Sequence, residues 1–148
     1  MKTYIGTKII NAMPMSRGEY NVYRDWVLPT NEDGGDEGYL VEYLDGGKPN
    51  DDRHAGYISW SPKAQFEAAY LEIGDVSGLH PHQQRVVAEK VQLDDKLSKL
   101  ELFCLTKGFA SLPQDERSRL RNQGGAMKVY SEILGARIEA FGEASSQQ

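Results

Sequence analysis

The chain has 148 residues, of which 26% are charged, and its formal net charge at pH 7 is −5. An acidic chain is a poor general binder of the nucleic-acid backbone, because neutralising phosphates requires an excess of Lys and Arg. The single cysteine, Cys104, excludes an intramolecular disulfide bond, and no apolar stretch reaches the length of a signal-peptide core or a membrane span. We therefore expect a soluble cytoplasmic protein with one ordinary domain or two small ones.

Charge is unevenly divided along the chain. Residues 1–80 contain 7 Lys and Arg against 13 Asp and Glu, whereas residues 81–148 contain 10 against 9. Basic residues are therefore enriched in the half where the sequence pattern becomes helical. This balance does not exclude a small phosphorylated ligand, because two or three arginines in one pocket suffice to bind it.

Residues 1–72 have the pattern of a small antiparallel sheet with short helices. The stretch "TYIGTKIINA" at 3–12 predicts a first strand, and "GYLVEYL" at 38–44 predicts a second. Between them, Ser16 and Glu19 have the spacing of a capping box and predict a short helix. A loop rich in turn formers precedes a third strand, so the second and third strands are expected to form an antiparallel hairpin.

The stretch "GYISWSPKAQFEAAY" at 56–70 predicts a strand that runs directly into a helix. Bulky and small residues alternate before the corner, as they do in a half-buried strand. Ser61 is then the expected N-cap, and Pro62 takes the first helical position, where its missing N–H costs no hydrogen bond. Phe66 and Tyr70 are four residues apart and are expected to share one helix face.

The pattern changes at residues 73–80, which we interpret as a linker, and then becomes helical. One apolar stripe spans five turns, and after a break at "TKGFAS" a second stripe repeats every seven residues. Ser111 and Gln114 predict a capping box at the start of the second helix. We therefore predict an antiparallel helical hairpin over 81–142 and a disordered tail over 143–148. The stripe residues are Val86, Leu93, Leu97, Leu100 and Cys104, then Leu120, Met127, Leu134 and Phe141.

The expected fold class is α+β, with the antiparallel sheet domain at 1–72 followed by the two-helix hairpin. Two helices cannot cover both of their faces, and a second apolar edge, formed by Val87, Val91 and Leu102, lies beside the main stripe of the first helix. This edge favours a homo-oligomer assembled through the hairpins. The alternative, in which the hairpin packs only on the sheet of its own chain, stays open.

No constellation of catalytic residues stands out. The histidines, His54, His80 and His82, lack the Cys or acidic residues that would complete a metal site. The chain has neither a Gly-rich phosphate loop nor a nucleophile beside a base. We therefore expect no enzymatic activity, no catalytic residue, no metal and no cofactor.

Two arginines of the helical half are candidates for an anion site. Arg137 lies beside the apolar stripe of the second helix and Arg85 near the start of the first, so both fall at the same end of an antiparallel hairpin. Together they suit a diphosphate, which guanidinium groups bind through paired hydrogen bonds. A structural salt bridge to Glu89 or Glu139 is the alternative.

Three further features of the helical half each have two interpretations. Phe109, in a loop of small residues, either stacks on a base or plugs the end of the hairpin core. Arg121, in the stretch "RSRLRN", belongs either to an anion site or to a solvated helix surface. The pair Gly124-Gly125 in mid-helix indicates either the close approach of another helix or ligand, or a kink.

Several stretches resemble a family of small phage proteins, the first-described Thoeris anti-defence sponges. They are "KTYIGTKIINAMPMSRGEYNVYR", "GYLVEYLDGG", "GYISWSPKAQFEAAY", "HPHQQRVVAEK" and "YSEILGARI", which together are spread over nearly the whole chain. The C-terminal helical hairpin of that family is shared with the anti-CBASS sponge proteins. The resemblance implies a phage protein that sequesters glycocyclic ADP-ribose signals, made by TIR-domain enzymes of the infected bacterial host, without degrading them.

The resemblance also implies roles for five residues. Arg85 in "HQQRVV" and Arg137 in "LGARI" are expected to bind the phosphates of the signal, and Phe109 in "GFASL" to stack on its base. Arg121 and Asn122 are expected to make polar contacts. Cyclic di- or trinucleotides are further expected ligands, bound at separate places on a hexamer that is assembled from dimers, whereas DNA, RNA and membranes are not expected partners.

Two other functions stay open at this point. One is an acidic nucleic-acid mimic that inhibits a host defence nuclease, and the other is a cyclic-nucleotide hydrolase. The carboxylates of the first half are scattered in loops without a regular phosphate-like ladder, which argues against the mimic. Recovery of intact ligand from the complex distinguishes a sponge from a hydrolase.

Overall fold

The structure is a computed structural model that describes residues 1–146, with side chains described as far as Gly142. The chain divides into two compact units, the first comprising Met1–Tyr70 and the second beginning at Leu71. The first unit contains a three-stranded antiparallel sheet with two short helices, and the second contains the long helices. These elements confirm the predicted α+β class.

The sheet of the first unit has its strands in sequence order. They are β1 (Asn11–Pro14), β2 (Gly38–Tyr43) and β3 (Tyr57–Pro62), and both pairs are antiparallel. The predicted hairpin of the second and third strands is thus confirmed. The predicted first strand at 3–12 is wrong in extent, because β2 ends opposite the start of β1 and leaves residues 1–10 without a strand to pair with.

One face of the sheet is covered by α1 (Arg17–Tyr23). The predicted capping box is confirmed: the Ser16 hydroxyl accepts the Glu19 amide at 3.2 Å, and the Glu19 carboxylate accepts the Ser16 amide at 2.7 Å. This helix places Tyr20 against the sheet, where it forms the buried core of the unit with Leu40 and Ile58.

The helix α2 (Lys63–Ala69) follows β3 without a loop. The predicted N-cap is wrong by one residue, because Ser61 pairs with Tyr39 inside the sheet and Pro62 occupies the cap position. The shared helix face is confirmed, since the Phe66 ring stacks on Tyr39 at 4.0 Å and on Tyr70 at 5.0 Å between ring centroids.

Both outer edges of the sheet are blocked to further strands at particular positions. The Met15 amide donates to the Gly38 carbonyl at 2.9 Å, which fixes which residues of each strand bond inward. In this register Pro14 of β1 and Pro62 of β3 face outward, where neither has an N–H to donate to another strand. The outward amide and carbonyl of Ile58 bond instead to the Asn50 side chain, at 2.8 and 2.9 Å. Each edge therefore carries a local block against strand addition.

The second unit consists of α3 (Pro81–Phe103), the short α4 (Lys107–Ala110) and α5 (Gln114–Ser146). Its two long helices are confirmed, and α5 continues four residues past the predicted end at 142. The predicted disordered tail is therefore helical over 143–146, and its last two residues lie outside the described residues. None of the described helices is long and apolar enough to cross a bilayer.

The predicted capping box at the start of α5 is replaced by a different arrangement. The Ser111 hydroxyl donates to the Lys107 carbonyl at 2.8 Å and so closes the end of α4. The helix α5 begins three residues later, directly after Pro113. Ser111 therefore ends α4, whereas its spacing to Gln114 predicts that it begins α5.

The end of α1 generates a stability prediction. Asp25 has φ 56°, in the left-handed region, and the next amide, that of Trp26, bonds back to the Asn21 carbonyl at 2.8 Å. Glycine adopts this conformation without the steric cost that a side chain incurs. We expect Asp25→Gly to raise the free energy of unfolding of the first unit by about 1 kcal/mol. Urea denaturation followed by tryptophan fluorescence measures this, because both tryptophans lie in that unit.

The matched control is Asp52→Gly, at an exposed loop position whose φ is not positive. There glycine only adds freedom to the unfolded chain, so we expect no gain in stability. Equal shifts of the two urea midpoints would show that the left-handed position is not the cause.

Candidate functional site

A polar cluster between α3 and α5 fixes how the two long helices lie against each other. The Lys90 ammonium donates to the Ser131 hydroxyl at 2.8 Å and to the Asp94 carboxylate at 2.9 Å. The Ser131 hydroxyl donates in turn to the same carboxylate. The Ser131 hydrogen bond, with help from Lys90, lowers the pKa of Asp94 although partial burial opposes the shift. The carboxylate therefore stays ionised and keeps both partners.

Arg85 and Arg137 lie at the same level of this antiparallel pair, near the start of α3 and the far part of α5. Lys90 contacts Ser131, so five residues back along α3 and six forward along α5 bring the two arginines to one height. They also share one side of the pair. Arg85 precedes Glu89 by four residues, Arg137 follows Tyr130 by seven, and the Tyr130 hydroxyl donates to the Glu89 carboxylate.

Neither of these two arginines is engaged by the described part of the chain. Both are exposed, and among the described residues neither forms an ion pair or a hydrogen bond. The alternative of a salt bridge to Glu89 or Glu139 thus has no counterpart among the described ion pairs. Two free guanidinium groups at one end of the helix pair are available to an anion.

Phe109 lies in α4, where Thr106 caps the helix by accepting the Phe109 amide at 3.2 Å. Phe109 is 4% exposed, its ring centroid lies 6.1 Å from that of Phe103 in an edge-on arrangement, and the Arg121 guanidinium lies over the ring at 5.1 Å from its centroid. This burial matches the interpretation in which Phe109 plugs the end of the hairpin core. A base could stack on the ring only after displacing Arg121 from it.

The five predicted site residues therefore fall into two groups. Arg121 lies over the Phe109 ring and the exposed Asn122 follows it on α5, whereas Arg85 and Arg137 lie at the other end of the helix pair. Sixteen residues of α5 separate Arg121 from Arg137, which corresponds to about 24 Å along the helix. A single small nucleotide cannot contact both groups within one copy of the chain.

A groove with a volume of about 570 Å³ lies between the second half of α3 and the first half of α5. Leu100 and Leu105 contribute to its lining from one side, and Arg121 with the glycine pair from the other. A methyl group on Gly124 would lie 3.6 Å from Leu100, and one on Gly125 would have no described atom within 4 Å. Neither glycine is therefore required by a close contact within the described chain.

The first unit contains a polar network that the sequence did not reveal. The His54 ring bonds to the Glu42 carboxylate at 2.8 Å through Nδ1 and to the Tyr23 hydroxyl at 2.7 Å through Nε2. Burial raises the pKa of Glu42, but hydrogen bonds from Asn11 and His54 outweigh it and lower that pKa. The network ties the connection between β2 and β3 to α1. Its members are far apart in sequence, so only the pairing register could have revealed it.

Among the described residues, no group of three or more His, Cys, Asp or Glu side chains is placed to hold a metal ion. The rings of His80 and His82 stack at 5.9 Å between centroids, and the His80 amide donates to Gln83 at 2.9 Å. This motif therefore forms the start of α3.

Residues 80–140 match the model of the Sequestin family. The matched segment contains α3, α4 and most of α5, together with all five predicted site residues. The first unit lies outside it. No curated protein and no solved structure matches the chain.

The glycine pair generates a prediction about the stability of α5. Gly125→Ala should raise the free energy of unfolding of the second unit by about 1 kcal/mol, because alanine favours the helix and the described chain leaves room for its methyl group. Urea denaturation followed by circular dichroism at 222 nm measures this change. Gly124→Ala should gain a similar amount, since its methyl group would make an ordinary contact with Leu100.

Gly142→Ala serves as the control, because it also adds a methyl group in open space but lies closer to the end of α5. We expect a smaller gain there, since helix ends contribute less. If Gly125→Ala instead lowers stability, another molecule or another copy of the chain must occupy the space beside it.

Proposed function

We propose that this protein binds and sequesters glycocyclic ADP-ribose made by TIR-domain enzymes, and that it thereby acts as an anti-Thoeris phage protein in the cytoplasm of the infected bacterium. The observation that carries the proposal is the pair of unengaged arginines, Arg85 and Arg137, at one level of the helix pair. The Sequestin match over the same helices supports it, because the family name points to the sequestering of a molecule.

The chemistry of the two guanidinium groups suits the diphosphate of this signal. Each guanidinium is planar, permanently charged and able to donate two parallel hydrogen bonds to phosphate oxygens. Because neither Arg85 nor Arg137 forms an ion pair among the described residues, binding an anion there breaks none of the described ion pairs. A net charge near neutrality in the second half of the chain also avoids strong repulsion of an anionic ligand.

The second group, formed by Phe109, Arg121 and Asn122, requires another explanation because it lies about 24 Å away along α5. We propose that it contacts a ligand of its own, such as a cyclic di- or trinucleotide of CBASS defence, or a signal whose phosphates are bound by a second copy of the chain. In either case Arg121 moves off the Phe109 ring to expose a stacking surface for a base.

Assembly of several copies, as dimers within a hexamer, is part of this proposal. On α5 the exposed apolar side chains Val129 and Ile133 are 56% and 54% accessible and are four residues apart. Tyr130, 41% accessible, lies between them. Exposed apolar residues at this spacing form a stripe that a second helix can cover.

Sequestration predicts that the ligand leaves the protein chemically unchanged. Incubating glycocyclic ADP-ribose with excess protein, denaturing the complex and analysing the released nucleotide should return the intact signal in full. Substoichiometric protein should remove at most its own molar equivalent from solution. Cleaved product, or loss of the whole pool with little protein, would show a hydrolase instead.

Loss of either arginine should weaken binding of the signal. Arg85→Ala and Arg137→Ala each remove charge-assisted hydrogen bonds worth about 1.5–3 kcal/mol, so we expect the dissociation constant to rise about tenfold to a hundredfold. The corresponding lysine variants should recover only part of the loss, since lysine cannot donate in parallel. Calorimetric titration with glycocyclic ADP-ribose measures both effects.

Arg119→Ala is the matched control, because Arg119 lies exposed on α5 but pairs with Glu116 at 2.7 Å. The Arg119→Ala variant should bind glycocyclic ADP-ribose with the affinity of the unmodified protein. Melting curves of the unliganded variants distinguish binding from folding: arginines that only hold the fold would lower the melting temperature and leave affinity intact. Unchanged affinity in both Arg85→Ala and Arg137→Ala would remove this site from the proposal.

A further inference from the structure

The Glu89 carboxylate lies where it could neutralise Arg85. The two residues are four apart on α3, a spacing that makes side chains neighbours on a helix surface. Arg137 has no such neighbour, because the residues three and four positions away from it on either side are all uncharged. Glu89 is therefore the one carboxylate at helical spacing from either arginine.

The structure shows this carboxylate held by a different partner. The hydroxyl of Tyr130, on α5, donates to Glu89, whereas Arg85 forms no ion pair among the described residues. The order of the two charges along the helix favours this partner over Arg85. An arginine that precedes a glutamate by four residues makes a weaker ion pair than a glutamate that precedes an arginine. One hydrogen bond across the helix pair is then sufficient to compete with that ion pair.

From this arrangement we infer that Tyr130 is a positioning residue for the diphosphate site, which keeps Glu89 away from Arg85 and so leaves the guanidinium available to an anion. The inference rests on the proposed function for the identity of the ligand. The Tyr130 hydroxyl holds the Glu89 carboxylate against α5. Glu89 itself lies one turn after Arg85 on α3. Removing the Tyr130 hydroxyl frees the Glu89 carboxylate to pair with Arg85. The site then presents about one positive charge fewer to the phosphates.

The test is a double-mutant cycle on Tyr130 and Glu89, with calorimetric titration of glycocyclic ADP-ribose and, separately, of inorganic pyrophosphate. Tyr130→Phe should raise the dissociation constant about two- to fivefold, because the competing ion pair is exposed and weak. Glu89→Gln alone should leave binding unchanged or tighter. The double variant should bind at least as well as the unmodified protein, because no carboxylate remains to be released.

Tyr4→Phe, which removes a hydroxyl from a residue 86% exposed in the first unit, is the control and should bind normally. Melting curves of Tyr130→Phe establish that the helices stay folded. The loss of affinity in Tyr130→Phe should also shrink as salt is added, because salt screens the attraction between the exposed Glu89 and Arg85 side chains. A purely structural role for Tyr130 predicts no rescue by Glu89→Gln and no such salt dependence.

Two outcomes overturn the inference. Unchanged affinity in Tyr130→Phe means that Glu89 does not compete for Arg85. A loss that Glu89→Gln fails to rescue means that Tyr130 acts on the ligand or the fold directly. Failure of the proposed function is a separate result, since it shows as normal affinity in Arg85→Ala and Arg137→Ala, whereas failure of this inference alone leaves those variants impaired.

Discussion

The contact of Lys90 with Ser131 and Asp94 is the constraint on which the second unit depends. Apolar stripes alone let two helices slide by a turn with little change in buried area, because each stripe repeats. Lys90 and Asp94, one turn apart on α3, both bond to the Ser131 hydroxyl on α5, so a slide by one turn would break both contacts between the helices. That register places Arg85 and Arg137 at one height and Glu89 within reach of Tyr130.

The first unit is organised differently, because its apolar core is small. Tyr20, Leu40 and Ile58 are buried together, and much of the remaining order comes from polar side chains that bond to distant backbone or to one another. Asn50 does this for β3, and the His54 ring does it for the connection before that strand. A unit with so little apolar burial relies on such contacts to hold its loops, since hydrophobic area limits the stability of small domains.

Much of this fold could be predicted from the sequence, because apolar periodicity and cap spacing act locally. The capping box at Ser16 and the long helices are of this kind. The extent of the first strand could not be predicted, because a strand needs a partner and the length of β2 is a property of the sheet. Whether Arg85 is paired could not be predicted either, since Tyr130 reaches Glu89 only in the folded register. The burial of Phe109 likewise depends on where Phe103 and Arg121 come together.

The prolines at the two outer strands, Pro14 and Pro62, have a consequence for any assembly of this protein. Joining several copies through their helices would raise the local concentration of the sheet-bearing units to the millimolar range. At such concentrations open sheet edges anneal into continuous ribbons, which is a route to fibres and precipitation. With a proline facing outward on each edge and the Asn50 amide covering Ile58, crowded sheets would offer only a short, interrupted ladder. The units could then accumulate side by side as separate bodies.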